Sequence, residues 1–152
     1  MKFSTRQDLD APIDQVFARA TDFSRFERAA RGRLKDVRRV SDGDGSGCGM
    51  AWEAGFTYRG KPREVSACVD RIEPVEALEV GGRSGGVQYA FTVDFVALSP
   101  HKSRIVVGLD LRPQTLPARL LVQSLKLGKS TLDKRFADAI RKFAHFVQES
   151  GH

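Results

Sequence analysis

The side chains that most often transfer protons in enzymes are few and scattered in this sequence. His101 falls in a predicted turn, "SPHKS", His145 lies opposite the apolar side of the last helical segment, and His152 ends the chain. Glu53 and Asp94 alternate out of phase with the apolar residues around them, so both are predicted to face solvent. No Ser-His-Asp, H-E-x-x-H or paired-carboxylate spacing is present. The sequence therefore predicts no catalytic residue and favours a binding protein over an enzyme.

The cysteines and the glycine-rich segment predict neither a metal site nor a cofactor site. Cys48 and Cys68 have no C-x-x-C spacing and no histidine cluster nearby, so they are interpreted as buried or half-buried free thiols. The segment "SDGDGSGCG" has the glycine content of a phosphate-binding loop. Such a loop leads into a helix and is followed by Lys-Ser/Thr, whereas this segment leads into strand-like sequence. We expect no metal ion and no cofactor.

Apolar side chains on one side of several predicted strands are the main candidates for ligand binding. The alternation of apolar and polar residues places one set on the inner face of a sheet. This set comprises Met50, Trp52, Phe56, Tyr58, Val65, Ala67, Tyr89, Phe91, Val93, Ile105 and Val107. For any one of them a place in the packed core is the more common explanation, but together they are rich in aromatic rings, which suits a flat or long apolar ligand. Trp52, Tyr58 and Tyr89 also carry polar atoms that could orient it.

A glycine and a lysine interrupt the apolar stripe of the last helical segment, "LLVQSLKLGKSTLDKRF". Leu125 and Leu132 belong to the stripe, and Lys129 stands between them at about 100° per residue. One interpretation is that the Lys129 stem snorkels to solvent or that the helix changes phase. The other is that its ammonium meets the anionic head of a ligand held beside Leu125 and Leu132. Gly128 lowers the helix propensity and predicts a bend or a close approach to the sheet.

A regular order of elements must position these residues. Residues 2–9 alternate as a strand, and "DAPIDQVFARATDFSRFERAA" predicts two short helices. Roughly six strands follow, joined by turns such as "RGKP" and "SPHKS". From Leu116 to about Val147 the period is helical over about 30 residues. Strands grouped in one run, with helices at the ends, are typical of the α+β class.

The predicted architecture is a single domain over residues 1–152. It is a helix-grip arrangement: a curved antiparallel sheet of six to seven strands wraps around one long C-terminal helix, and two short helices follow the first strand. A strongly coiled sheet is not completely filled by one helix. The sequence therefore predicts a cavity between the sheet and the C-terminal helix.

Composition and charge limit the partners. The net charge is +6, but the basic residues are dispersed and do not alternate with exposed aromatics, so no specific nucleic-acid partner is expected. No segment approaches the ~20 apolar residues of a membrane span, and the first residues do not resemble a secretory signal. We expect a cytoplasmic protein whose partner is a small molecule. Monomer and homodimer both stay open.

Three segments resemble a known superfamily. They are the opening "FSTRQDLDAPIDQVFARATDFSRFERAA", the hairpin "VDFVALSPHKSRIVVGLDL" and the helical "RLLVQSLKLGKSTLDKRFADAIRKFAHFV". In these the chain resembles the SRPBCC superfamily of START-like, helix-grip proteins, in its polyketide cyclase/dehydrase-like branch. The resemblance covers nearly all of the chain and implies the helix-grip fold. It transfers no catalytic residue, because enzymes of the superfamily place theirs at positions that differ between subfamilies.

Three hypotheses for function follow from the residues and the resemblance. The first is binding or transport of an apolar or amphipathic small molecule, of the lipid, polyketide or aromatic type, in the cavity. The second is a cyclase/dehydratase-like enzyme acting on a polyketide-like substrate. The third is a partner-binding module of the co-chaperone or quinone-carrier type, with the basic helix surface as its contact. Two or more titratable groups converging inside the cavity would favour the enzyme.

Overall fold

The computed structural model describes residues 1–149, so His152 lies outside the described residues. The described part contains four helices, α1 (Ile13–Ala20), α2 (Phe23–Arg31), α3 (Leu116–Lys126) and α4 (Lys129–Gln148). Its seven strands are β1 (Lys2–Leu9), β2 (Lys35–Asp42), β3 (Met50–Tyr58), β4 (Lys61–Glu73), β5 (Ala77–Ser84), β6 (Val87–Ser99) and β7 (Lys102–Pro113). The α+β helix-grip prediction, with two short helices after the first strand and a long C-terminal helix, is confirmed.

All seven strands form one antiparallel sheet in the order β1-β7-β6-β5-β4-β3-β2. Five of the pairs join strands that are consecutive in sequence, and β1 pairs with β7. The β3–β4 hairpin closes through Arg59 and Gly60, which both have positive φ, at 52° and 75°. Two-residue hairpin loops favour this left-handed geometry because it matches the twist of the strands.

The core lies where α1 and α4 pack on the inner face of the β1-β7-β6 side of the sheet. Phe3 of β1 meets Phe136 of α4 with ring centroids 5.7 Å apart, and Phe17 of α1 meets Phe95 of β6 edge-on at 5.0 Å. The side chains of this core that are almost completely buried include Leu9, Val16, Val93, Ile105, Val107 and Val147. The β1-β7-β6 side of the sheet is thus tightly covered by helices, whereas several side chains on the inner face of the β3-β4-β5 side are only half-buried.

The helical run predicted from Leu116 to about Val147 is divided into two helices at Gly128, the residue where a bend or a close approach to the sheet was predicted. Helix α3 ends at Lys126 and α4 begins at Lys129. Gly128 departs from helical geometry with φ −110° and ψ 27°. Glycine inside a helix is less favourable than alanine by about 1 kcal/mol, so an interruption of the helix is favoured at this point. Among residues 1–149, no helix is long and apolar enough to cross a membrane.

Candidate functional site

A cavity of about 390 Å³ lies between the sheet and helices α2 and α4, and it is partly open to solvent. Its walls come from α2 and the adjoining Ala20 and Leu34, from strands β2 to β7 and from Phe143 of α4. The polar side chains in these walls are Glu27, Glu53, Ser66, Tyr89 and the indole of Trp52. The remaining wall is formed by aliphatic side chains and phenylalanines.

Helix α2 forms the wall opposite the sheet. Asp22 caps the helix by accepting a hydrogen bond from the Arg25 backbone N–H at 3.2 Å. Phe26 then stacks on Phe143 of α4 at 5.7 Å, and the Arg25 guanidinium lies 3.6 Å above the ring of Phe146. These contacts tie α2 to α4 and leave the side of α2 that carries Phe26 directed towards the cavity.

The strand register explains which sheet residues line the cavity. Trp52 of β3 is paired with Ala67 of β4, and Val80 of β5 is paired with Phe91 of β6. Residues paired across strands project to the same face, so these side chains form a continuous inner surface. The small Ala67 beside the large Trp52 leaves open space above the strands.

Glu27 is the principal charged group of the cavity wall, and its side chain is only 10 % exposed. Its Oε2 accepts hydrogen bonds from Trp52 Nε1 at 2.7 Å and from Arg39 Nε at 2.8 Å, while Oε1 accepts from an Arg31 guanidinium nitrogen at 2.9 Å. The hydrogen bond from Trp52, followed by that from Arg39 and the charges of both arginines, holds the pKa of Glu27 below its usual value against the opposing effect of burial. Glu27 is therefore an ionised group that is fully engaged by the protein.

Tyr89 occupies a gap between strands β4 and β5. The pairing of these strands extends to Cys68 and Gly81 but not to the next residues, and the Tyr89 hydroxyl donates a 2.6 Å hydrogen bond to the Ser66 carbonyl there. Gly82 has no room for a side chain, since a Cβ would overlap the Ser66 carbonyl oxygen. Burial, with the nearby charge of Asp70, raises the pKa of Tyr89 to about 12, so it stays a neutral phenol.

The structure brings together only some of the residues predicted to bind a ligand. Trp52, Val65, Ala67, Tyr89 and Phe91 line the cavity. The predicted candidates that do not line it are Met50, Phe56, Tyr58, Val93, Ile105, Val107, Leu125, Lys129 and Leu132. Those on β6 and β7 belong to the tightly packed core, because α1 and α4 cover that part of the sheet.

Two of the other candidates, Met50 and Tyr58, have different surroundings. Met50 borders a second, more open pocket beside the loop that contains Gly45 and Gly47. Tyr58 is exposed at the end of β3, where the guanidinium groups of Arg59 and Arg63 lie 5.3 and 5.6 Å from its ring.

Several cavity residues were not found from the sequence, and Glu27 is the most important of them. It lies four residues after Phe23 and three before Ala30, so a helical period puts its carboxylate on the apolar stripe of α2. A carboxylate on an apolar stripe was the feature of the sequence that could have identified Glu27 as a cavity residue. Glu53, predicted to face solvent, borders the cavity at a partly exposed position and pairs with Arg38 at 3.7 Å. His101, His145 and Asp94 are exposed, as expected.

Neither cysteine belongs to a metal site in the described part of the chain. Cys48 and Cys68 are free and half-buried, and burial raises the pKa of the Cys68 thiol, with the charge of Asp70 adding to it. Residues 1–149 contain no group of three or more histidine, cysteine, aspartate or glutamate side chains placed to hold a metal ion.

Lys129 makes its contacts outside the cavity. Its Nζ forms a 2.8 Å ion pair with Asp133 and lies 4.8 Å from the centroid of the Phe3 ring, and the side chain is 40 % exposed. This geometry corresponds to a snorkelling lysine whose stem covers an apolar surface.

We expect replacement of Lys129 by methionine to leave the affinity for a cavity ligand unchanged. An exposed i,i+4 ion pair contributes little, so the free energy of unfolding should change by less than about 1 kcal/mol. Urea denaturation and ligand titration of the two proteins measure both quantities. Weaker binding of an anionic ligand alone, with neutral ligands unaffected, would instead place the ammonium in the binding site.

The comparisons with known proteins identify the fold. No protein-family model and no curated protein matches the sequence. A norcoclaurine synthase point mutant from Thalictrum flavum, in complex with a transition-state analogue, superposes with a TM-score of 0.68 at 16% identity and covers 95% of this chain and 93% of its own. The Zhui aromatase/cyclase from Streptomyces sp. R1128 gives 0.65 at 14% identity, covering 99% and 98%.

A START superfamily protein from Mycobacterium smegmatis also matches, with a TM-score of 0.57, 13% identity and coverage of 88% of this chain and 95% of its own. The agreement extends over nearly the whole length of each protein. At sequence identities of 13–16%, the similarity to these three proteins shows a shared fold only. The chain therefore has the START-like, helix-grip fold that its resemblance to the SRPBCC superfamily implied.

Proposed function

We propose that this protein binds an apolar or amphipathic small molecule in the cavity between the sheet and helices α2 and α4. The observation that carries the proposal is an apolar cavity whose main polar groups are already satisfied by the protein. Glu27 accepts three hydrogen bonds, and the Tyr89 hydroxyl donates to a backbone carbonyl. An apolar ligand can then displace water without leaving either group unpaired, which avoids a loss of roughly 1–3 kcal/mol for each.

The dimensions and the shape of the wall support a ligand with a ring or a bent chain. A volume of about 390 Å³ lies within the range of small-molecule pockets, roughly 300–1,000 Å³. Phe23 and Trp52 lie 5.8 Å apart at a tilt of 54°, and Phe91 meets Phe143 edge-on at 6.5 Å. The rings of each pair contact one another, so a ligand would lie against the aromatic surface that they form together, on which a flat ligand can stack.

We also infer a cytoplasmic location. The two free thiols, Cys48 and Cys68, suit a reducing compartment in which no disulfide is needed for stability.

A ligand that copurifies with the protein is the expected result of native mass spectrometry on freshly isolated material. After its removal, adding it back at a hundredfold excess over Kd should raise the melting temperature by about 5 °C or more. A panel of aromatic acids, quinones and fatty acids replaces it if the protein is isolated empty. Absence of a bound molecule together with no thermal shift across the panel would contradict the proposal.

An enzyme of the cyclase/dehydratase type is the second candidate. It is favoured by two titratable groups in one cavity, Glu27 on the helical wall and Tyr89 on the sheet, and by the likeness to an aromatase/cyclase. Binding is preferred because both groups are engaged within the protein, which leaves neither poised to exchange a proton with a ligand. Conversion of a polyketide-like thioester, lost in Glu27→Gln, would decide for the enzyme.

A further inference from the structure

Helix α3 presents an apolar ridge to solvent. Ala118 and Val122 are its buried contacts with the rest of the domain, whereas Leu116, Leu120 and Leu127 are 69 %, 58 % and 91 % exposed. At 3.6 residues per turn these three leucines fall within an arc of about 40°, on the side opposite the buried residues. Leu127 keeps helical dihedrals, φ −66° and ψ −27°, so it continues the ridge of the helix.

The chain segment that carries the leucine ridge has charged residues of one sign only. Residues 111–132 contain four basic residues and no acidic residue. Two of the four have acidic partners: Arg112 pairs with Asp110 and Lys129 with Asp133. Arg119 and Lys126 have no ion pair with any described residue, and they flank the ridge on the same side.

We propose that α3 docks the protein on the surface of a bilayer that contains anionic lipids. The leucine ridge would insert at the boundary of headgroups and acyl chains, while Arg119 and Lys126 contact lipid phosphates. Interfacial helices combine these two features: an apolar side that is buried in the boundary and basic residues that are attracted to anionic headgroups. This is peripheral binding, which needs no membrane-spanning helix.

Charge and shape favour a bilayer over another protein molecule as the occupant. A second copy of the chain docked through the same face would bring its Arg119 and Lys126 close to those of the first, so like charges would repel. The leucines form a projecting ridge on one helix, which a fluid surface accommodates without a matching groove. No α3 residue lines the cavity, so this surface is independent of the proposed ligand site.

Cosedimentation with large vesicles tests the proposal. We expect wild-type protein to bind vesicles in which a third of the lipid is phosphatidylserine, to bind pure phosphatidylcholine poorly, and to dissociate at high salt. Leu120→Gln/Leu127→Gln should reduce partitioning about tenfold or more, because both apolar anchors are lost. Arg119→Gln/Lys126→Gln should reduce it about tenfold on anionic vesicles only. All four side chains are exposed, so these variants should fold normally.

Two control variants separate this surface from the rest of the protein. Leu98→Gln removes a leucine of 43 % exposure from β6 and should bind vesicles like wild type. Ala67→Trp fills the cavity and should also bind vesicles normally, so failure of the ligand site does not imply failure of the docking surface. The proposal is overturned if wild-type protein does not bind anionic vesicles, or if Leu120→Gln/Leu127→Gln binds them as wild type does. It is also overturned if analytical ultracentrifugation shows that wild-type protein is a dimer and that this variant is a monomer.

Discussion

Replacing Ala67 by tryptophan is expected to lower the affinity for the cavity ligand by about a hundredfold or more. Ala67 lies on the inner face of β4, beside Trp52, and its methyl group borders the open space above the strands. An indole at this position would occupy the volume that the ligand needs. Because it fills space that already exists, the melting temperature of the ligand-free protein should stay equal or rise. Calorimetric titration and thermal denaturation measure the two effects separately.

Ala90→Trp is the matched control for this change. Ala90 belongs to β6 and precedes Phe91, so it projects from the opposite face of the same sheet. The same indole on that outer face should leave the affinity unchanged. If Ala67→Trp binds the ligand as wild type does, the cavity is not the site. If both variants lose binding equally, the loss comes from a general disturbance of the sheet.

The fold could be predicted because its main signals are local. Alternation such as that of Trp52, Ala54 and Phe56 specifies a strand and its inner face regardless of what packs above it. The break after α3 was visible in Gly128, which weakens the helix at a defined position. The sequence did not show that the low helix propensity at Gly128 would divide the segment into two helices, since that also depends on how α3 packs on β7.

The candidate site could be predicted only in part, because a site depends on how the helices sit on the sheet. Val93 and Val107 share the inner face with Phe91, yet α1 and α4 cover that part of the sheet and both valines are completely buried. Strand periodicity cannot distinguish a residue under a helix from one beside it. Glu27 was missed for a related reason: its partners Trp52 and Arg39 come from strands far along the chain, and only the folded protein brings them together.

Replacing Glu27 by alanine is expected to lower the free energy of unfolding by about 2–3 kcal/mol. The side chain is nearly buried and joins α2 to β2 and β3 through Arg39 and Trp52. Its removal leaves the Trp52 indole N–H without its acceptor, the Arg31 guanidinium without its ion pair, and the Arg39 guanidinium with only the exposed Asp42 carboxylate at 3.4 Å. Glu53→Ala is the matched control, because Glu53 borders the same cavity but has an exposed, longer ion pair that should contribute little. Urea denaturation at pH 7 compares the three proteins.

The stabilisation by Glu27 should also depend on pH in a defined direction. Its pKa in the folded protein is below 4.5, the ordinary value for glutamate, so the folded state favours the ionised form. The difference in unfolding free energy between wild type and Glu27→Gln should therefore be constant above about pH 5. It should shrink as the pH falls below 4.5 and through the lowered pKa of Glu27, where the carboxylate takes up a proton and its hydrogen bonds from Trp52 and Arg39 weaken.

The same pair of variants separates a structural role of Glu27 from a role in ligand binding. If Glu27 only holds α2 to the sheet, Glu27→Gln should lower stability and leave the ligand affinity nearly unchanged, because the amide keeps the shape and an acceptor for Trp52. If the ligand contacts the carboxylate directly, affinity should fall in Glu27→Gln by more than the stability change explains, and it should show the pH dependence of Glu27. If the difference in unfolding free energy between wild type and Glu27→Gln is the same at pH 7 and pH 3, Glu27 is not an ionised, hydrogen-bonded group in the cavity wall.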